Sequence, residues 1–214
     1  MTPSPIIVCG LPRCGSSLTM QMLSTAGIRC IGTYPAYEVT DEIQHELQPY
    51  GQDISLEAAE TFTPEFMANN TDAAIKLLDP HRISLPTGFK YRFIFLTRSR
   101  RQQCYSQLKM LRLLGELKGG VSDTQIESMK SSLAKDEKAA FQEISKHEGS
   151  TIKVRFEDII SHPDATADRI KWFLDLPSES VALMARVVRP RSVRVYNGML
   201  ELDLMDEMKG DIEP

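Results

Sequence analysis

Ile6-Ile7-Val8-Cys9-Gly10-Leu11-Pro12-Arg13-Cys14-Gly15-Ser16-Ser17 is the stretch that decides the fold. Its first four residues are apolar and mostly β-branched, the composition of a strand buried on both faces. Gly10 ends that run. Leu18, Met22 and Ala26 then recur at i, i+4 and i+8, one face of a helix, and Gly27 supplies its stop. Between strand and helix the loop has a Gly-x4-Gly frame with Ser17 in the usual Ser/Thr place. Backbone N–H groups of such a loop and the positive end of the following helix form a nest for an oxyanion. Ser16 stands where a nucleotide-hydrolysing loop carries lysine, and the cation is Arg13, inside the loop. No strand ending in a metal-binding Asp accompanies it, so ATPase or GTPase chemistry lacks two of its parts.

Further strands are expected at Ala73–Leu78, closed by Asp79-Pro80, at Arg92–Thr97 and at Thr151–Phe156. A long helix after Thr97 presents Cys104, Leu108 and Leu111 on one face and is expected to stop near Gly119-Gly120. Ser122 and Gln125 form a capping-box pattern ahead of a polar helix running to about Lys146. Ala167, Ile170 and Leu174 mark another helix, and Pro177-Ser178 introduce one up to Val188. Strands alternating with helices predict an α/β fold with a central parallel sheet flanked by helices. One domain spans 1–214, with a core over 5–196 and an acidic tail over 197–214. Ligands of such sheets bind at the carboxyl ends of the strands, which draws attention to Arg98, just past the third strand. Ser106 follows eight residues later, about two helical turns on. A guanidinium fork with a hydroxyl suits a terminal phosphate. The adjacent Arg100 and Arg101 equally fit a solvated basic helix start.

The 214 residues carry a formal net charge of -4, with 25% charged and 42% hydrophobic residues. That is ordinary globular composition and excludes global disorder. The acidic balance argues against a general grip on nucleic acid. The four cysteines form no CxxC pair, and no His/Cys/Asp cluster has ligand spacing, so no metal is implied. No apolar run approaches the roughly 18–20 residues of a membrane span, and MTPSPIIVCG shows no leader pattern. A cytoplasmic protein is expected.

Taken together, the two loops resemble the sulfotransferase family that uses 3′-phosphoadenosine-5′-phosphosulfate (PAPS). Leu11-Pro12-Arg13-Cys14-Gly15-Ser16-Ser17 is similar to that family's 5′-phosphosulfate loop, with Cys14 in place of the usual serine. Phe95-Leu96-Thr97-Arg98 through Ser106 is similar to its 3′-phosphate motif. Val154-Arg155-Phe156-Glu157-Asp158 with His162-Pro163, and Trp172-Phe173-Leu174, resemble its later segments. The likeness is collinear from Pro5 to Arg194 and implies a P-loop NTPase-like sulfotransferase fold, compact in style.

The resemblance implies roles. Arg13 and Lys76 would meet the charge that builds on the bridging oxygen as sulfuryl transfers. Pro12, Cys14, Gly15, Ser16 and Ser17 would hold the 5′-phosphate, Arg98 and Ser106 the 3′-phosphate, and Phe156 would contact the adenine. Arg191 and Arg194 would close over the nucleotide. Cytosolic animal members carry a histidine base where this chain has Leu78. Glu38 fits the glutamate of other branches, with Asp79 and His81 in reserve; His45, His147 and His162 read as surface residues. Other departures are Ser99 for an Asp, Leu18 for an adenine-stacking Trp, Phe156 for a tyrosine, and the missing Gly-rich, Lys-containing C-terminal loop. The acceptor is a small molecule, sugar, phenol or lipid offering a hydroxyl or amine. The segments Ile31–Asn70 and Leu117–Gly149 are expected to line it. Oligomeric state stays open. A P-loop-type nucleotide kinase and a non-catalytic relative that binds 3′-phosphoadenosine 5′-phosphate (PAP) are the alternatives.

Overall fold

The computed structural model describes residues 4–31 and 62–188. Its centre is β1 (Ile6–Gly10), buried along its whole length because it has a strand on either side and helices above and below. Short β2 (Arg29–Ile31), β3 (Ala73–Leu78), β4 (Tyr91–Thr97) and β5 (Gly149–Arg155) complete a parallel sheet of five strands in the order β2-β3-β1-β4-β5. The chain moves outward from β1 on one side, then returns past it to build β4 and β5 on the other. This reversal opens a crevice at the carboxyl end of β1. Register puts the strand ends together there. Gly10 pairs with Leu78 and Leu96, and Thr97 with Arg155.

Helix α7 (Ser180–Val187) packs on both α1 (Ser16–Thr25) and α6 (Pro163–Leu174). Helices α3 (Arg100–Leu113) and α4 (Asp123–Ile144) pack on each other. Short α2 (Pro64–Ala68) precedes β3, and α5 (Phe156–Ser161) follows β5 directly. The core is the apolar strand residues with most of the predicted helix faces: Leu18, Met22, Cys104, Leu108, Ala167, Ile170 and Leu174 are buried, whereas Ala26 and Leu111 are half-buried.

The expected α/β architecture is present, with differences at the margins. Strand β2 has no apolar run to announce it. It is a three-residue edge paired to Ala73–Ile75, and its Arg29 is turned outward to Asn70 Oδ1 at 3.1 Å and Asp72 Oδ1 at 2.7 Å. Helix α3 ends at Leu113, well before Gly119-Gly120. Glu116 N donates to Leu111 O at 2.9 Å and Gly115 N to Arg112 O at 3.0 Å, the double bond of a Schellman stop at Gly115. Strand β5 starts and finishes earlier than expected, so Phe156 opens a helix. His147 is half-buried, its ring edge-on to Tyr91 with centroids 5.6 Å apart, and burial lowers its pKa from the ordinary imidazole value.

The capping box ahead of α4 is formed. Ser122 Oγ accepts from Gln125 N at 3.3 Å, and Gln125 Oε1 accepts from Ser122 N at 2.8 Å. Ser122→Ala should cost about 1 kcal/mol and lower the melting temperature by roughly 2–4 °C in a chain of this size. Scanning calorimetry showing an unchanged midpoint would mean the box contributes nothing.

Candidate active site

The loop after β1 makes a tight turn, and its two glycines are sterically required. A Cβ on Gly10, whose φ is +151°, would lie 2.6 Å from Leu96 O. Gly15 has φ +94° and backs onto an aromatic ring; a Cβ there would meet Phe156 Cδ2 at 2.6 Å. Gly15 is also the residue before α1, and it offers no side chain to cap the helix. The start of a helix without a side-chain cap is the kind of site that binds oxyanions. Gly15→Ala should destabilise the fold by about 2–4 kcal/mol, from left-handed strain and overpacking. The melting temperature should fall by roughly 5–15 °C, and a thermal melt within two degrees of the parent would show that the ring moves aside freely.

Inside the turn, the Cys14 thiol donates to Leu11 O, and burial pushes its pKa up to about 12. It is a neutral internal brace. Arg13 adopts φ +66°. Its Nε donates to Ser106 Oγ at 3.0 Å, and Ser106 is 2% exposed. Arg98, also buried, donates from Nη1 to Arg13 O at 3.0 Å, while its guanidinium carbon lies 4.3 Å above the Phe156 ring. The two sequence motifs thus meet in one cluster at the end of β1 and β4.

Helix α3 holds the loop at a second point. Gln103 Nε2 donates to Pro12 O at 2.8 Å and Gln107 Nε2 to the same oxygen at 3.4 Å. Gln103, Ser106 and Gln107 share one helix face by their i, i+3, i+4 spacing. Sequence reasoning missed both glutamines, although their spacing from Ser106 was the available signal.

Of the remaining expected residues, Lys76 is 2% exposed in β3, opposite Val8 and two positions before the strand end. Ser16 and Ser17 open α1. Phe156 is 4% exposed, covered by Gly15 and Arg98. Asp79 follows β3 in a left-handed conformation with φ +50°, and its N donates to Gly10 O at 3.0 Å, tying β3 to the start of the loop. Desolvation raises the Asp79 pKa, against the opposing charges of Arg82 and His81. Glu38, Arg191 and Arg194 lie outside the described residues. Among the described residues no group of three or more His, Cys, Asp or Glu could hold a metal ion. No helix among them is long and apolar enough to cross a membrane.

No protein-family model matches this chain, and no curated protein matches it in sequence. Solved structures do. A retinol dehydratase in complex with androsterone and the inactive cofactor PAP superimposes with a TM-score of 0.55 at 14% identity, covering 88% of this chain and 65% of that one. The chain therefore spans less than two thirds of that enzyme's length. A sulfotransferase from Mycobacterium avium gives 0.51 at 14% identity, covering 100% of this chain and 78% of its own. The sulfotransferase domain from the curacin biosynthetic pathway gives 0.51 at 15%, covering 99% and 92% respectively. At such identities the likeness establishes the fold alone, the α/β fold shared by these sulfotransferase structures.

Proposed function

We propose that the chain is a PAPS-dependent sulfotransferase that moves a sulfuryl group to a hydroxyl or amine of a small-molecule, sugar, phenol or lipid acceptor. One observation carries the reading: Arg13 Nε meets Ser106 Oγ at 3.0 Å and Arg98 Nη1 meets Arg13 O at 3.0 Å, so the two loops expected to hold phosphates touch each other. A kinase P-loop would need the lysine that Ser16 replaces.

The residues present fit the co-substrate. The side-chain-free Gly15 leaves the start of α1 open to an anion, and Ser16 and Ser17 add hydroxyl donors there. Pro12 and Cys14 shape this cradle, Cys14 through its backbone because its thiol is turned to Leu11 O. Arg98 and Ser106 take the 3′-phosphate. Phe156 supports Arg98 from beneath, and this reading assigns it a contact with the adenine. Arg191 and Arg194, outside the described residues, are assigned to the nucleotide by this reading on the sequence resemblance alone. PAPS, when bound, supplies the sulfuryl group and leaves as PAP. Arg13 and Lys76 offset the negative charge that grows on the leaving oxygen, which is where fixed cations accelerate transfer. Glu38 receives the acceptor's proton. We read 1–214 as one domain and place it in the cytoplasm, where the free thiols of Cys9, Cys14, Cys30 and Cys104 persist.

Saturating PAP at about 100 times its Kd should stabilise the protein by about 2.7 kcal/mol, a melting shift of roughly 5–10 °C. Radiolabelled sulfate should pass from PAPS to an acceptor in a metabolite extract. A shift with ATP and magnesium but none with PAP would replace this reading by the kinase one. Binding of PAP without transfer to any acceptor would leave a nucleotide-binding relative.

A further inference from the structure

The corner where β5 turns into α5 sits against the boundary between β4 and α3. Glu157, the second residue of α5, is 9% exposed, and its Oε1 accepts a hydrogen bond from Ser99 N at 2.8 Å. Its Oε2 lies 3.7 Å from Arg155 Nε. Ser99 is the residue before α3, and its own side chain makes no cap. The first turn of α3 contains no acid and begins with Arg100 and Arg101. Cations at a helix start oppose the macrodipole, so this end is electrostatically unfavourable unless carboxylates from elsewhere attend it. Two do. Glu137 of α4 grips Arg100 through two bonds of 2.5 and 3.0 Å, and Glu157 binds the Ser99 amide.

The neighbours of this amide are the ones that matter to the crevice. Arg98 precedes Ser99 and bonds Arg13 O, and Ser106 lies two turns along the helix that Ser99 opens. Phe156, next to Glu157, lies beneath the Arg98 guanidinium and behind Gly15. The β5–α5 corner therefore grips Arg98 on both sides, with a ring under the side chain and a carboxylate on the following peptide.

We propose that Glu157 is a positioning residue: it fixes the Arg98-Ser99 peptide so that Arg98 and Ser106 hold the loop and face a bound bisphosphate nucleotide. The ligand named here rests on the sulfotransferase reading. The mechanical part concerns only Glu157, Ser99 and the loop.

Charge and position predict opposite signs. A carboxylate near an anion site repels the anion, so a Glu157 that acted only through its charge would weaken binding, and its removal would tighten it. A Glu157 that acts by position strengthens binding, and its removal loosens it. The test uses the full chain, calorimetric titration with PAP, and amide hydrogen exchange. Glu157→Gln keeps an acceptor oxygen without the charge and should bind PAP within about threefold of the parent. Glu157→Ala should bind about 10-fold more weakly, the loss expected for one charge-assisted hydrogen bond. Glu157→Asp keeps the charge but withdraws the oxygen, and should also lose affinity, which serves if the alanine variant does not fold. In the Ala and Asp variants, exchange should accelerate at Ser99 and at the loop amides of Arg13 and Cys14, and stay unchanged at Ala74–Leu77. Equal or tighter PAP binding in Glu157→Ala or Glu157→Asp, or unchanged exchange at Arg13 and Cys14, would overturn the proposal. If the parent chain itself binds no PAP, the sulfotransferase reading fails alone, and loop exchange still decides whether Glu157 positions the loop.

Discussion

Arg13→Ala should lower kcat for sulfuryl transfer by about 10²–10³-fold, the loss seen when a fixed donor at a developing charge is removed. The guanidinium is held in place before any ligand arrives, since Nε is engaged by Ser106 Oγ at 3.0 Å and the residue's own carbonyl accepts from Arg98. A pre-positioned cation does not have to reorganise as the bond to phosphate breaks, so its effect falls on the transition state more than on binding. The KM for PAPS should therefore rise less than kcat falls. Arg13 has φ +66°, and alanine there carries a backbone penalty of about 1–2 kcal/mol. Arg13→Gly removes the same side chain without that penalty and separates the two effects. Steady-state rates with labelled PAPS check this, and a kcat within threefold of the parent in both variants would remove Arg13 from the chemistry.

Arg98→Lys should weaken PAP binding by about 100-fold, although charge is conserved. The guanidinium fork donates to Arg13 O at 3.0 Å while its plane covers the Phe156 ring at 4.3 Å. An ammonium is a point charge and cannot bond the loop, stack on the ring and reach a phosphate together. Losing a bidentate phosphate contact removes about 2–3 kcal/mol, and a loosened loop adds to that. Calorimetric titration with PAP measures it. A lysine variant that binds within threefold of the parent would show that only the positive charge at this position counts.

Much of this arrangement is legible along the chain because it is local. The run Ile6–Cys9 is buried on both faces, and Ala73–Leu78 appears as β3 with the expected limits. Helix α3 starts at Arg100, which places Ser106 where it can meet the loop. What stays hidden is decided across the sheet. Strand β2 forms because β3 offers an edge, not because Arg29–Ile31 is strand-like. Gly115 stops α3 before Gly119-Gly120, through bonds that depend on Leu111 and Arg112. The double hold of Gln103 and Gln107 on Pro12 O depends on β1 pairing with β4, and the burial of Phe156 and the Glu157 carboxylate on Ser99 N depend on β5 docking beside β4. No single stretch of sequence contains that docking. A motif reading supplies Arg13, Arg98 and Ser106 and passes over Gln103, Gln107 and Glu157, which brace them.

Calorimetric titration of the unmodified chain with PAP, 5′-AMP and 3′-AMP bears most directly on whether a single nucleotide spans both loops. PAP should bind at least about 100-fold more tightly than either monophosphate, because each phosphate then gains its own set of charge-assisted bonds. Equal affinity for PAP and one of the monophosphates would mean that only one of the two loops receives a phosphate.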